Sequence, residues 1–151
     1  MNKKIKRIDL AEYMPDIERL ISEGLSVPLT VTGNSMSPFL IHMRDTVYIS
    51  LPVKPFERGD IVLYRRENGQ YVMHRIHHID KYGNLYITGD AQTQIEGPVN
   101  QKCVVGEVFT VLRNGKQIGV SDKIWKFYQK VWIRIVPIRP IMKKVFKVFA
   151  R

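Results

Sequence analysis

Short runs of β-branched and aromatic residues, separated by turn sequences, occupy the chain between residues 26 and 120. Glycine-containing turns at 58–60, 67–69, 82–84 and 113–115 separate several of these runs. The predicted strands cover residues 27–31, 46–51, 60–65, 70–80, 84–88, 103–112 and 117–120. This pattern predicts an all-β body, built as a coiled or partly closed antiparallel sheet.

Apolar residues recur at helical spacing at both ends of this body. Residues 9–23 form a predicted amphipathic helix, with Asp9 as its N-cap and Gly24 as its stop. After residue 121, basic residues recur every three or four positions, and Pro137 and Pro140 interrupt the pattern. We therefore expect one compact domain over residues 1–120 and a tail of two basic amphipathic helices over residues 121–151.

The positive charge is concentrated in this tail. The net charge of the 151-residue chain is +10, and residues 123–151 contain nine Lys and Arg but no acidic residue. The body is therefore nearly neutral, and it shows no zinc-finger, helix-turn-helix or RNA-stacking pattern, so no nucleic-acid partner is predicted. The tail predicts peripheral attachment to an anionic membrane surface through its basic and aromatic residues. The alternative is a helix packed on the body.

The sequence contains no apolar run long enough for a transmembrane helix, and no apolar segment follows the basic N-terminus as a signal peptide requires. The predicted localisation is cytoplasmic or peripheral on a membrane. The single cysteine, Cys103, excludes an intramolecular disulfide. On a strand, His74 and His78 share one face while His77 points to the other, so we predict no metal site and no cofactor.

Three polar segments contain the candidate site residues. Residues 32–38, Thr-Gly-Asn-Ser-Met-Ser-Pro, place Ser35 after a strand, where a simple polar turn is the alternative. His74 lies within a strand among apolar neighbours, where a neutral imidazole needs a partner such as a serine hydroxyl. Without such a partner, the alternative is a core histidine whose ring nitrogens are satisfied within the protein. Asp90, in Thr-Gly-Asp-Ala, ends the next strand with a carboxylate that could reach the second imidazole nitrogen.

Four motifs, in order, resemble the conserved boxes of the signal peptidase I family: Gly-Asn-Ser-Met-Ser-Pro, Arg-Gly-Asp-Ile-Val, Met-His-Arg-Ile and Thr-Gly-Asp-Ala. The resemblance covers roughly residues 26–110. A histidine where many bacterial members have lysine is similar to the endoplasmic-reticulum and archaeal type. The resemblance implies a serine endopeptidase that cleaves a signal, leader or precursor peptide through an acyl-enzyme, with Ser35 as nucleophile and His74 as general base. Family members carry a membrane span before the serine, where this chain has a charged helix.

The resemblance also implies supporting roles for neighbouring residues. The backbone N–H of Ser35 is one expected oxyanion donor, and Asn34 and Met36 are expected at the oxyanion or substrate-binding site. Gly33 replaces the hydroxyl residue that supplies the second donor in many members, which leaves Thr32 or Asn34 for that role.

Family members carry carboxylates both in the Gly-Asp pair and further along the chain, which correspond to Asp90 and Glu96. Asp90 is the expected orienting group for His74, and Glu96 is the alternative. Asp60 is expected to be structural.

Two other functions compete with a signal-peptidase-like enzyme. A catalytically silent β module that binds peptides, or a partner at the membrane, would retain Ser35 and His74 without using them. A repressor-type autoprotease has a related β fold, but it uses a lysine base and a DNA-binding arm, and neither is evident here.

Overall fold

The computed structural model describes residues 10–149 of the chain. The expected N-terminal helix, α1, spans Leu10–Ser22; its predicted N-cap, Asp9, lies outside the described residues. Gly24 ends the helix as expected, because its positive φ of 91° turns the chain in a conformation that favours glycine. Met14 and Ile21 on the inner side of α1 are buried against the sheet.

Eight strands follow, and every pairing between them is antiparallel. They are β1 (Val27–Thr30), β2 (Asp45–Ser50), β3 (Ile61–Arg65), β4 (Tyr71–Ile79), β5 (Leu85–Thr88), β6 (Glu96–Val99), β7 (Val104–Arg113) and β8 (Lys116–Gly119). Their order is β1-β2-β7-β3-β4-β5-β6, and β8 pairs with β7. The all-β body is confirmed, and its sheet is open, with β1 and β6 at the two ends of this order.

Turn chemistry sets two of the hairpins. Asn114 and Gly115 connect β7 to β8 with φ values of 49° and 79°, the positive values that a tight two-residue hairpin turn requires. Between β3 and β4 the chain turns through Asn68 and Gly69, and Gly69 has a φ of 86°. This second hairpin determines the register that places His74 opposite Val62.

Strand β6 is the one strand absent from the sequence-based prediction. Its Gly97-Pro98 pair is typical of a turn, since glycine weakens a strand and proline lacks the N–H that a ladder uses. Strand β6 lies at the end of the sheet and pairs only with β5. The backbone groups on its outer edge therefore need no partner strand. Pairing with Leu85 and Ile87 is what makes this segment a strand.

The C-terminal segment is helical, as expected, but it bends earlier than its prolines suggest. It consists of α2 (Lys123–Lys130), a 3-10 stretch (Trp132–Ile138) and α3 (Arg139–Phe149). The helical geometry breaks at Ile135, while Pro140 lies in the first turn of α3, where its missing N–H leaves no hydrogen bond unmade. Within residues 10–149 no helix has the length and apolar character needed to cross a bilayer.

The aromatic residues of the C-terminal segment pack on the β body. Trp125, Tyr128 and Trp132 are buried in the main hydrophobic cluster together with strand residues. The Phe39 ring contacts Trp125 edge-on at 5.6 Å between centroids and stacks on Tyr128 at 4.9 Å. The side chains of Trp125, Tyr128 and Trp132 are therefore not available for the membrane attachment that was expected from the aromatic residues of the tail.

Candidate active site

Ser35 lies in the turn that follows β1. Gly33 opens this turn at a φ of 80°, and its N–H donates to Nδ1 of His42 at 2.8 Å. The N–H and the Oγ of Ser37 both donate to the carbonyl oxygen of Asn34, at 3.1 and 2.9 Å. These bonds fix the backbone on both sides of Ser35 and leave its side chain half-buried.

The Gly-Asp-Ala loop after β5 holds the Ser35 carbonyl. The N–H of Ala91 donates to Ser35 O at 2.9 Å. Gly89 lies so close that a Cβ added there would be 2.5 Å from the same oxygen. The motif therefore needs glycine at position 89 for close backbone approach, and the loop positions the serine through the main chain.

The C-terminal segment holds the same loop from its other side. Trp132 Nε1 donates to Asp90 O at 2.8 Å. The guanidinium of Arg139, itself buried, donates to the carbonyls of Gly89 and Gln92 at 3.0 and 2.9 Å. The helical tail is thus part of the support for the serine turn.

His74 lies on β4, and only 6% of the residue surface is exposed. The pKa of the imidazole is lowered to about 4, chiefly by burial and also by the positive charge of Arg66, while the charges of Glu96 and Asp90 act in the opposite direction. The ring is therefore neutral at pH 7 and able to accept a proton.

Both ring nitrogens of His74 remain open to solvent. Within residues 10–149 no group hydrogen-bonds to the imidazole, and no fully buried side-chain nitrogen or oxygen is left without a partner. Each nitrogen must therefore reach the protein surface. A core histidine would have its nitrogens satisfied internally, so this arrangement differs from the structural alternative considered from the sequence.

Ser35 and His74 line the same groove, whose volume is about 480 Å³. The groove runs past the end of β1 and the first half of β4 and is lined by both apolar and polar side chains, among them Leu29, Met73 and Gln70. Among the described residues no hydrogen bond joins Ser35 Oγ to His74; such bonds are often long in the absence of substrate. The structure thus brings the two motifs to one concave surface.

Asp90 has a different partner from the expected one. Its Oδ1 and Oδ2 accept from Nε and an Nη of Arg75 at 2.8 and 2.9 Å, and both side chains are completely buried. Arg75 also donates to Gly59 O at 2.8 Å and lies over the Phe39 ring. Since both carboxylate oxygens bond to Arg75, Asp90 connects the loop to β4 and does not bond to His74 within the described residues.

Glu96 lies on a second cavity that His74 also lines. The Tyr64 hydroxyl donates to Glu96 at 2.6 Å, and Arg66 forms an ion pair with it at 2.8 Å. Burial acts to raise the pKa of Glu96, but the hydrogen bonds from Tyr64 and Arg66 outweigh burial and hold that pKa below its ordinary value. The carboxylate is therefore ionised beside His74.

The candidate oxyanion residues lie in the turn that carries Ser35. Among the described residues the backbone N–H of Ser35 donates to no protein group, which is compatible with its expected role as an oxyanion donor. Asn34 is exposed, while its carbonyl holds Ser37. Met36 is buried and lines the groove, as does the exposed Thr32.

Arg75, Tyr64 and Arg66 are functional-site residues for which no role was expected from the sequence. Arg75 stands beside His74 in Met-His-Arg-Ile, and the alternation of a strand places these neighbours on opposite faces of the sheet. A buried arginine within a strand needs an anionic partner, so the position of Arg75 in the sequence was a signal that an ion pair such as the one with Asp90 exists. Tyr64 and Arg66 gave no comparable signal, because their connection to Glu96 depends on strand β6.

The other histidines lie outside this constellation. His77 and His78 approach each other with 2.8 Å between their Nδ1 atoms, next to a break in the β4–β5 register, and His78 stacks on Tyr86. Across the described part of the chain no cluster of three His, Cys, Asp or Glu side chains is arranged to hold a metal ion. Asp60, buried immediately before β3, accepts from the Glu57 N–H at 2.8 Å.

Comparison of the sequence with protein-family models and with curated proteins finds no match.

Proposed function

We propose that this chain is a serine endopeptidase of the signal-peptidase type, with Ser35 as nucleophile and His74 as general base. The observation that supports this most directly is that a half-buried serine and a neutral histidine with open nitrogens line one groove. The likeness of four sequence motifs to the signal peptidase boxes supports the same assignment and suggests a signal, leader or precursor peptide as substrate.

The reaction follows from the chemistry of these groups. Ser35 Oγ attacks the scissile carbonyl carbon while His74 accepts the hydroxyl proton. The Ser35 N–H donates to the oxyanion that forms, and collapse of the intermediate breaks the C–N bond as His74 returns the proton to the leaving amine. Water then attacks the acyl ester as His74 takes a proton from it. Collapse of this second intermediate breaks the bond between the acyl carbon and Ser35 Oγ while His74 returns the proton to Oγ, which releases the peptide carboxylate and restores the Ser35 hydroxyl.

Within this mechanism we assign the charge that stabilises the imidazolium to Glu96. Of the two carboxylates that favour the protonated imidazole, Glu96 has the larger effect and shares a cavity with His74, while both oxygens of Asp90 bond to the buried Arg75. Glu96 is in turn positioned by Tyr64 and Arg66. Asp90 supports the site indirectly, by fixing the loop that holds Ser35 O.

A fluorophosphonate probe tests the assignment. The purified full-length protein should be labelled at Ser35, Ser35→Ala should lose labelling, and His74→Ala should slow it by about a thousandfold or more. Ser26→Ala, at an exposed serine before β1, is the matched control and should react like the wild type. Equal labelling of wild type and Ser35→Ala would remove Ser35 as the nucleophile.

Cleavage itself is tested with a library of synthetic peptides analysed by mass spectrometry. A hydrolysed bond that survives in Ser26→Ala and disappears in Ser35→Ala would establish the endopeptidase. If the wild type neither reacts with the probe nor cleaves any peptide but binds peptides in the groove, the silent β module is the correct assignment.

A further inference from the structure

Helix α2 presents an apolar stripe that the β body does not cover. Trp125 and Tyr128 occupy the inner face and are buried. Ile124, Phe127 and Val131 are 41%, 37% and 48% exposed, and their i, i+3, i+7 spacing places them on one stripe of a different face. A helix that merely packs on a body is expected to have a polar outer surface, so this second stripe needs another explanation.

Basic side chains lie beside this stripe. Lys123, Lys126 and Lys130 repeat the same i, i+3, i+7 spacing one position earlier and are exposed. None of the three forms an ion pair with another described residue. The outer half of α2 therefore combines an apolar stripe with an adjacent line of uncompensated positive charges.

The pattern continues beyond the bend. Ile138, Ile141 and Val145 are 47%, 65% and 42% exposed and again follow i, i+3, i+7 spacing, with Lys144 exposed beside them. Over residues 123–151 the sequence has nine basic residues and no acidic residue. Of these, Arg139 is buried and used internally, so it does not contribute to the outer surface.

We propose that this outer surface of α2 and α3 docks on an anionic lipid bilayer, with the two apolar stripes entering the interface and the lysines contacting lipid headgroups. An isolated apolar patch would suit many partners, but long flexible basic side chains flanking an apolar stripe suit a fluid anionic surface. The aromatic residues buried on the body have no part in this contact. The proposal concerns the tail alone and does not depend on the peptidase assignment.

Vesicle co-sedimentation of the full-length protein tests the proposal. Binding should be strong on vesicles of phosphatidylcholine with phosphatidylglycerol, weak on phosphatidylcholine alone, and reduced by salt. The double variant Lys126→Gln/Lys130→Gln should weaken partitioning about tenfold or more. Ile124→Ser/Val131→Ser should also weaken it about tenfold, and it should reduce the fraction of binding that survives high salt.

Matched variants elsewhere on the surface provide the controls. Lys102→Gln/Lys116→Gln removes the same charge from exposed positions outside the tail, and Val53→Ser removes an apolar side chain that is 97% exposed. Both should bind vesicles like the wild type, and all variants should melt at the wild-type temperature.

Equal binding to neutral and anionic vesicles, or control variants that lose as much binding as the tail variants, would overturn the proposal. Self-association would also overturn it. In that case the wild type elutes as a dimer without lipid, Ile124→Ser/Val131→Ser elutes as a monomer, and neither protein sediments with vesicles. The apolar stripe would then be a contact between two copies of the chain. Labelling of Ser35 by the fluorophosphonate is independent of all these outcomes, so failure of one assignment leaves the other testable.

Discussion

Arg75 and Asp90 form a completely buried bidentate ion pair, with N–O distances of 2.8 and 2.9 Å. The same guanidinium donates to the carbonyl of Gly59, so one side chain of β4 connects two loops that are distant in sequence. His74, the neighbour of Arg75, points to the other face of the sheet and into the groove. The pair therefore joins the loop that holds Ser35 to the strand that carries His74.

Removing the charge of Asp90 should destabilise the whole protein. Asp90→Asn leaves the Arg75 guanidinium buried without an anion, and we expect a loss of about 3 kcal/mol or more in the free energy of unfolding. Urea denaturation at pH 7 measures this loss. Asp80→Asn, which changes a carboxylate of the β4–β5 turn, should cost less, and equal losses in both variants would contradict a special role for the buried pair.

Glu96→Gln should lower turnover with a smaller effect on folding. The variant removes the ionised carboxylate that favours protonated His74, so proton transfer from Ser35 becomes less favourable, and we expect kcat to fall about tenfold or more. Steady-state kinetics on a cleaved peptide measures this change. An unchanged kcat in Glu96→Gln would mean that Ser35 and His74 act without a third group.

The pH dependence of activity should reflect the lowered pKa of His74. Because His74 must be neutral to accept a proton, and burial lowers its pKa to about 4, kcat/KM should fall on the acidic side near pH 4 and not near the ordinary histidine value. Arg66→Gln removes a positive charge that opposes protonation, so the pKa rises and the acidic limb moves to higher pH. Arg65→Gln, whose side chain pairs with Glu18, is the control and should leave the limb in place.

Gly89→Ala should damage the site through the main chain. The new Cβ would lie 2.5 Å from Ser35 O, so the loop must shift and lengthen the bond from the Ala91 N–H. We expect kcat/KM to fall at least about tenfold. Gly119→Ala is the matched control, since a Cβ there meets no atom within 4 Å. Retained activity in Gly89→Ala would show that the serine turn does not depend on this contact.

Glu107→Gln should stabilise the protein at alkaline pH. The pKa of Glu107 is raised to about 7, chiefly by burial and also by the negative charge of Asp60. Because this folded-state value exceeds the unfolded value, stability falls as pH rises from about 4.5 to about 7. Glutamine removes the repulsion, and we expect a gain of about 1–2 kcal/mol at pH 8 by urea denaturation. Exposed Glu67→Gln should change little.

Local patterns were sufficient to predict most of the fold. Alternation and Asn-Gly turns identified seven of the eight strands, because a side chain's face and the geometry of a tight turn depend on near neighbours in sequence. The same is true of α1 and its stop at Gly24. Strand β6 was missed because Gly97 and Pro98 oppose a strand locally, and only pairing with β5 outweighs that preference.

The sequence by itself determined which residues are the chemical candidates, Ser35 and His74, and that the tail is helical, basic and amphipathic. The tertiary structure decided what these elements contact. It paired Asp90 with Arg75, placed Glu96 on a cavity with His74, and buried Trp125 and Trp132 on the body. Partner choice of this kind depends on which buried charges and apolar faces meet across the fold. An arginine within a strand signals that it needs an anion, but the spacing of residues along the chain does not say which carboxylate supplies it.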